Sequence, residues 1–394
     1  MENENAVQSA ENKQSTSRQL VAVVFVLSLA SKMFLQPIAL LHAVGRDAYV
    51  AMAIDGAIDL ATLGFMLAAI RLSGENDFFS MLVSLIGKVG AKIAASVIGL
   101  YLFFKLTITT GETLIFYSDS LFAEFDIAVM LVILLLFLWT VACHTLKALS
   151  RLTELLTPIV VVGIAALATI VIATRFDAAN ILPFMNTKNF GDAVYKHMAF
   201  SGDFTPLVFF VGRTKTKKHT SLFSSLSGVV GTCVAVFFAI VMSAAFGNVP
   251  MLADTGTNLS TILQYSIGNV YGRIDLFSTA LWSIAVFLET ALFFFATCKC
   301  FRFVAGEKGR GIVALAVGFA LYLVEVFAMT DPTIRDTVTT SAVTSMISLA
   351  FTIAIPLFAF VVSLVFKHKC GRGEKDAFGK DNGECKTSGV KNEN

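Results

Sequence analysis

Long apolar runs, separated by shorter polar connections, repeat along almost the whole chain. A helix needs about 20 mostly apolar residues to cross a bilayer, where no water can satisfy an exposed backbone. The runs that meet this requirement predict ten transmembrane helices, at residues 20–42, 48–72, 93–117, 127–146, 155–174, 195–212, 221–246, 273–297, 310–329 and 338–366. The pattern therefore predicts an all-α integral membrane protein.

Two of these predicted helices contain residues that interrupt a helix. The first carries SKMFLQP at residues 31–37, and the sixth carries SGDFTP at residues 201–206. Proline and glycine weaken a helix, and irregular backbone at membrane depth is tolerated where it lines a cavity. Because the two breaks lie five helices apart, we predict an inverted repeat of five plus five helices, over residues 20–174 and 195–366, with a solute site at the breaks.

Composition supports this assignment and adds an orientation. Hydrophobic residues make up 56% of the chain and charged residues 15%, so one water-soluble core could not hide the apolar surface. We treat residues 20–366 as one permease domain, between a polar segment 1–19 and a polar tail 367–394 that we expect to be disordered. Lysine and arginine are more frequent in the connections on the same side of the membrane as the N-terminus than in those on the other side. This predicts that both termini are cytoplasmic.

Charged residues inside the predicted helices are the strongest functional signal. Charges in a bilayer are costly and need a partner or a water-filled cavity. The charged positions are Lys32, Asp55, Asp59, Lys105, Glu112, Asp203, Glu289 and Glu325.

Two interpretations of these charges stay open. In one, Lys32 and an acid near it, Asp203 or Asp59, line a polar cavity that recognises a small zwitterion together with exposed backbone groups. In the other, Lys32 with Asp59, and Lys105 with Glu112, are permanent ion pairs that fix helix packing. Glu289 is a candidate proton carrier, because burial favours the neutral form of a carboxyl, and equally a candidate partner for a neighbouring helix.

Signatures of enzymes, cofactors and metal sites are absent from the sequence. It contains no glycine-rich nucleotide loop and no HExxH, and its cysteines lack the spacing of a zinc site or a disulfide framework. We therefore expect a protein that is not an enzyme and has no cofactor, metal or nucleic-acid partner. Ser227, Gly228 and Gly231 in the seventh predicted helix indicate a small-residue packing seam.

A series of short motifs follows the predicted helices in order. It comprises SKMFLQP at 31–37, GRDAY at 45–49, LIGKVG at 85–90, SRLTELLTP at 150–158, NILPF at 180–184, and RID at 273–275 with Trp282. In this order the motifs resemble the endospore germination permease family, the B subunits of spore germinant receptors. The resemblance covers about residues 20–365, and Asp203 stands where it leads us to expect glutamate.

The resemblance implies the amino acid-polyamine-organocation superfamily and a LeuT-like core. It also implies residence in the inner membrane of the spore, with A-type and C-type receptor subunits as partners. By analogy with that fold, a pocket would use the breaks of predicted helices one and six and facing positions on helices three and eight. The candidate substrate-binding residues are Ala30, Ser31, Lys32, Thr107, Phe200, Ser201, Gly202, Asp203 and Phe287, with Asp59 and Glu289 as candidate proton-carrying or ion-pairing groups.

The expected function is that of a germinant-sensing subunit. Binding of an amino acid or similar small solute at the midplane would shift the helix bundle between states and signal to the partners. The alternative is a proton-coupled amino-acid secondary transporter that uses Asp203 or Glu289. A third reading is a structural or assembly protein of the membrane, in which bulky replacements at Ser31 or Gly202 would leave a ligand response intact.

Overall fold

The computed structural model describes residues 14–33, 35–120, 126–182, 189–217, 219–246, 274–306 and 309–377. Within these ranges the chain is almost entirely helical, and the one β-pairing is an isolated parallel bridge between Ser15 and Thr214. The helices are α1 Ser17–Leu27, α2 Ala30–Met33, α3 Leu35–Val44, α4 Ala48–Leu72, α5 Phe78–Ser120, α6 Ile127–Cys143, α7 Leu146–Arg175, α8 Phe190–Lys196, α9 Thr220–Phe246, α10 Ile274–Ala305, α11 Arg310–Val324, α12 Pro332–Thr340 and α13 Ala342–Ala377. The predicted all-α class is confirmed.

Eight helical stretches of the described chain are long and apolar enough to cross a membrane. Helix α6 is also apolar but has only 17 residues, and the sixth predicted helix is divided into short pieces. The chain is therefore a multi-pass membrane protein, and the count of ten helices stays a prediction.

The distribution of side chains is that of a protein surrounded by lipid. Large apolar side chains face outward, among them Ile133, 65% exposed, on α6 and Phe319, 62% exposed, on α11. Charged side chains are buried in the interior instead, among them Lys32 at 1% exposure and Asp59 at 0%. Lipid can cover the apolar exterior, whereas each interior charge requires a partner within the protein.

The first break lies earlier than the sequence predicts. Helix α1 ends at Leu27, and a turn at Ser28 and Leu29 precedes α2. The predicted break residues Ser31 and Lys32 therefore lie inside the short helix α2.

The second break is where the sequence predicts it. Two short 3-10 segments, Met198–Phe200 and Thr205–Phe210, flank it. Ser201 between them is extended, and Gly202 has φ 103°. A Cβ at Gly202 would lie 2.5 Å from the hydroxyl oxygen of Tyr101, so this position requires glycine for its conformation and for its space.

The predicted packing seam on α9 is confirmed. Gly228 lies directly against Leu63 of α4, and Gly231 lies directly against Ser28 in the first break. The hydroxyl of Ser227 donates a hydrogen bond of 2.8 Å to the carbonyl of Val21 on α1. These small residues allow α9 to approach α1 and α4 closely, which holds the first break against the rest of the bundle.

Four helices extend well beyond their predicted boundaries. Helix α7 begins at Leu146 rather than 155, and α10 continues to Ala305 rather than 297. Helix α5 begins at Phe78 rather than 93, and Gly87, with φ 75°, divides it into a short and a long part. Helix α13 continues to Ala377, because no helix-breaking residue follows Phe366 directly, so the tail predicted to begin at 367 starts as helix. The rest of that tail and the predicted connection 247–272 lie outside the described residues.

The predicted cytoplasmic end of the bundle is closed by backbone pairing. The N–H of Ser15 donates to the carbonyl of Arg213 at 2.8 Å, and the N–H of Lys215 donates to the carbonyl of Ser15 at 2.9 Å. The Arg213 side chain also binds Asp77 at 2.7 Å. The chain before α1 is thus fixed to the segment that follows the second break.

Gly212 offers a test of this closure. It has φ 73°, and an added Cβ would meet the backbone of Asn76, whereas Gly74 has φ 60° with open space around it. We expect Gly74→Ala to lower the free energy of unfolding by about 1–2 kcal/mol through its left-handed conformation alone. Gly212→Ala should cost about 1–3 kcal/mol more, because backbone must move. Thermal unfolding in detergent measures both, and equal losses would contradict the close approach.

Candidate functional site

The ammonium group of Lys32 lies at the centre of three buried carboxylates. Its Nζ contacts Asp59 directly, and it lies 3.2 Å from Oδ2 of Asp55 and 3.6 Å from Oδ2 of Asp203. None of the four side chains is more than 2% exposed. Asp55 and Asp59 are four residues apart on α4 and so share one helix face, which directs both toward Lys32. We call Asp55, Asp59 and Asp203 the acidic triad.

The acidic triad also binds the second break. The Ser201 hydroxyl donates to Asp55, and the backbone N–H of Gly202 donates to Oδ1 of Asp59 at 3.1 Å. Gln36 of α3 donates a further hydrogen bond of 2.9 Å to Asp55. Helix α4 therefore joins the first and second broken segments, and its carboxylates satisfy polar groups that an interrupted helix leaves without partners.

Lys105 binds the opposite side of the second break. Its Nζ donates to the carbonyls of Phe200 at 2.8 Å and Ala199 at 3.2 Å, and lies 3.7 Å from Oδ1 of Asp203. A cation is favoured at this position because helical carbonyls end there. The predicted ion pair of Lys105 with Glu112 is wrong, since the lysine is directed toward the break.

Hydroxyl groups from α5 and α13 complete this environment. Ser348 donates to the carbonyl of Ala199 at 3.2 Å, and Thr352 donates to the carbonyl of Ser201 at 3.3 Å. Tyr101 forms a hydrogen bond of 3.0 Å with Thr352. Sequence reasoning missed these residues, although Ser348 and Thr352 are four apart in a mainly apolar part of α13 and therefore lie on one face.

The first break is held by side chains from two other segments. The indole N–H of Trp282 on α10 donates to the carbonyl of Ala30 at 3.0 Å. The hydroxyl of Ser31 donates to Oδ2 of Asp203 at 3.2 Å. Ala30, Ser31 and Lys32 thus all contribute to the same region, as the sequence predicts.

Glu289 is a buried acid whose hydrogen-bonding capacity is largely unused. Its side chain is 0% exposed, and neither carboxylate oxygen has a hydrogen-bond partner within the described residues. The hydroxyl of Ser31, which donates to Asp203, is also close to the Glu289 carboxyl, and the charges of Lys32, Lys105 and Asp203 act on that carboxyl. The site therefore contains two lysines against the acidic triad and Glu289, which leaves an excess of acidic groups.

Two predicted site residues have their side chains engaged elsewhere. The Thr107 hydroxyl donates to the carbonyl of Phe103 in its own helix at 3.1 Å. The Phe287 ring packs between Tyr117 and Phe137, with centroid distances of 6.1 and 6.2 Å. Phe200 contributes its carbonyl to Lys105, while its side chain belongs to a small apolar cluster.

The comparisons with known proteins agree with this architecture. Residues 15–337 match the model of a family described as "Spore germination protein". A search of the curated proteins finds no match.

Solved transporter structures share the fold. One is Mhp1, a nucleobase-cation-symport-1 family transporter in a closed conformation with bromovinylhydantoin bound, with a TM-score of 0.58 and 12% identity over 94% of this chain and 95% of that chain. Another is a mutant of the Eremococcus coleocola manganese transporter, with a TM-score of 0.53 and 10% identity over 95% of this chain and 88% of that chain. The predicted LeuT-like fold is therefore confirmed.

Removing the lysine charge tests the central cluster. Lys32→Met leaves the acidic triad without its central cation, and we expect a loss of about 3–5 kcal/mol in the free energy of unfolding. Adding Asp59→Asn should restore part of this loss, because one uncompensated charge is removed. Chemical unfolding in detergent of the two single variants and the double variant measures the coupling. Additive losses would show that Lys32 and Asp59 do not depend on each other.

Proposed function

Because the chain belongs to the spore germination protein family, we propose that it is a nutrient-sensing membrane subunit of a spore germination receptor. Its ligand is an amino acid or a similar small solute, bound where α2 meets the second break. The observation that carries this proposal is the cluster of Lys32, Lys105, the acidic triad and Glu289 buried around interrupted backbone. We assign it no catalytic role.

The charges of the cluster match those of a zwitterion. The acidic triad suits an ammonium group, and in this structure the ammonium of Lys32 takes that place. A ligand ammonium that replaces it would free Lys32 to bind the ligand carboxylate. Ligand binding would thus exchange one set of ion pairs for another, which gives the ligand different affinities for two arrangements of the bundle.

Glu289 supports a ligand with an amino group. The nearest donor to the Glu289 carboxyl, the Ser31 hydroxyl, is already bound to Asp203, so this buried carboxyl loses solvation and gains little in return. An ammonium group near Ser31 would supply the missing donors and would reduce the excess of acidic groups. Glu289 in this role contacts the ligand rather than a neighbouring helix.

The connections of the cluster explain how binding would be transmitted. Carbonyls before the second break are held by Lys105 and Ser348, and Gly202 is held by Asp59. A ligand that withdraws Asp59 from this network alters contacts of α4, α5 and α13 together. We propose that partner subunits of the A and C types detect this change, in the inner membrane of the spore and with both termini in the cytoplasm.

A proton-coupled secondary transporter is the second candidate. The fold is shared with transporters, and Glu289 is a buried acid close to the two breaks. In that case Glu289 or Asp203 would take up and release a proton during transport. Purified protein in vesicles separates the candidates, since accumulation of labelled amino acid driven by a pH gradient would refute a purely sensory role.

Glu289→Gln tests the binding site. We expect the nutrient concentration for half-maximal germination to rise about tenfold or more, because a charged hydrogen bond to the ligand is worth about 1.5–3 kcal/mol. Germination is followed by loss of spore refractility across a series of single amino acids, with receptor levels measured by immunoblot. Glu75→Gln, at an exposed position, is the matched control and should respond as the wild type. An unchanged response of Glu289→Gln at normal protein level would exclude Glu289 from the site.

Lys32→Ala tests the wider proposal. Because the buried carboxylates lose their cation, the protein level falls as well, and we expect the nutrient response per receptor molecule to be lost, since the ligand carboxylate also loses its partner. A response that falls only in proportion to the protein level would instead favour a purely packing role for Lys32. Deleting the whole gene should abolish germination to at least one nutrient, and spores that respond to every nutrient would refute the sensor assignment.

A further inference from the structure

Three basic side chains come together at the predicted cytoplasmic end of the bundle. Lys299 and Arg302 lie near the end of α10, and Arg213 lies in the segment that follows the second break. Lys299 and Arg302 are three positions apart, so they share one face of the helix, and each is only 7% exposed. We call Arg213, Lys299 and Arg302 the basic triad. It shares no residue with the cluster around Lys32.

The basic triad lines a cavity between three parts of the chain. The cavity has a volume of about 370 Å³, and its other walls come from Phe303 of α10 and from the start of α5. Pockets for small molecules have volumes of roughly 300–1,000 Å³. A second, smaller cavity is lined by the same three basic residues together with the turn between α6 and α7. Both cavities therefore present the same cationic groups.

Positive charge exceeds negative charge around these cavities. Among the lining residues that the structure describes, Asp77 is the one carboxylate, and it binds the Arg213 side chain at 2.7 Å. The smaller cavity adds the further cation Lys147. Lys299 and Arg302 have partners within the protein, yet the described lining residues together still carry more positive than negative charge. An anion in the cavity is therefore attracted.

Two helices begin at the walls of the cavities. Helix α7 begins at Leu146, which lines the smaller cavity, and α5 begins at Phe78, next to the lining residues Phe79 and Ser80. The first N–H groups of a helix have no partner within it, and the helix dipole favours a negative charge there. Phosphate groups bind at such ends, and arginine and lysine recognise them. The basic triad and the two helix ends thus favour the same ligand chemistry, a phosphate group.

One wall of the larger cavity is apolar. The ring of Phe79 stacks on the ring of Phe303, with 4.3 Å between the centroids. Phe79, Val83 and Ile86 follow one another on a single face of α5, at spacings of four and three residues. Phe79 is buried, whereas Ile86 is 49% exposed. This face therefore leads from the cavity to the apolar exterior that lipid covers.

We propose that the basic triad binds the phosphate of an anionic phospholipid from the cytoplasmic leaflet, with an acyl chain along the apolar face of α5. Basic pockets between transmembrane helices on the cytoplasmic side bind lipid head groups. The apolar face favours a lipid over free phosphate, because a free ion gains nothing from contact with Phe79 and Val83. The lipid site does not depend on the identity of the solute bound near Lys32.

A bound head group would also stabilise the closed cytoplasmic end. It would join α10 to Arg213, whose carbonyl accepts the backbone hydrogen bond from Ser15. The same lipid phosphate would reduce the repulsion among the three cations. Binding of the lipid and pairing of the chain before α1 with the segment after the second break therefore support each other.

Thermal unfolding of the full-length protein in detergent micelles tests the proposal. Phosphatidylglycerol, phosphatidylcholine and inorganic phosphate are compared at equal concentrations. We expect phosphatidylglycerol to raise the melting temperature with a saturable midpoint, because a ligand that binds only the folded state stabilises it. Phosphatidylcholine, which has no net charge, and inorganic phosphate, which has no acyl chain, should each raise the melting temperature much less.

Charge-removing variants locate the effect at the cavity. In the double variant Lys299→Gln with Arg302→Gln, we expect the phosphatidylglycerol concentration at the midpoint to rise about 25-fold, because each basic residue beside an anionic lipid contributes about fivefold in affinity. Lys88→Gln with Lys92→Gln removes the same charge from exposed positions of α5 and is the matched control. Its midpoint should be that of the wild type.

Photo-crosslinking of the wild type decides if the cavity variant fails to fold. A phosphatidylglycerol analogue with a diazirine in its acyl chain should label the peptide that contains residues 79–86. Unlabelled phosphatidylglycerol should compete with this labelling, and phosphatidylcholine should not. Labelling confined to other peptides would overturn the proposal.

Four other results would also overturn it. Equal stabilisation by phosphatidylcholine would show that charge is not recognised, and equal weakening in the control variant would show that only surface charge matters. Equal stabilisation by inorganic phosphate would assign the cavity to a soluble ion. No effect of any of the three additives would favour an acidic segment of a partner protein as the occupant.

Discussion

The structure depends on the neutralisation of Lys32 inside an apolar bundle. A lysine at this depth is tolerated only because Asp55, Asp59 and Asp203 surround it. Those same carboxylates hold Ser201 and Gly202, so the ion cluster and the interrupted backbone stabilise each other. Removing one member leaves a buried charge or a free peptide group, and neither has water to replace the lost partner.

Much of the fold could be predicted because a helix that crosses lipid must be apolar over about 20 residues. Apolar length alone located α4 and α9 to within one residue, and the second break followed from Gly202 and Pro206. The sequence placed the first break at Ser31 and Lys32 because both are polar. Their side chains bind Asp203 and Asp59, however, while their backbone remains helical. The turn at Ser28 has no proline or glycine to mark it.

The site was predictable only in part, because helical spacing does not say which helices face each other. Lys32, Asp59 and Asp203 were correctly brought together, since a buried charge has few choices of partner. One of the two open interpretations paired Lys105 with Glu112 within its own helix, whereas tertiary packing directs the lysine to Phe200. The roles of Tyr101 and Thr352 depend on contacts across about 250 residues of chain, which local pattern cannot reveal.

The ion pair of Lys32 with Asp59 has a consequence for how the protein is made. The two residues are 27 positions apart, on α2 and α4, with only α3 and a short connection between them. A helical hairpin of α1 to α4 can therefore leave the translocon with its lysine already neutralised, long before Asp203 has been synthesised. Lys32 can therefore enter the bilayer as a neutralised pair before the second half of the chain has been synthesised.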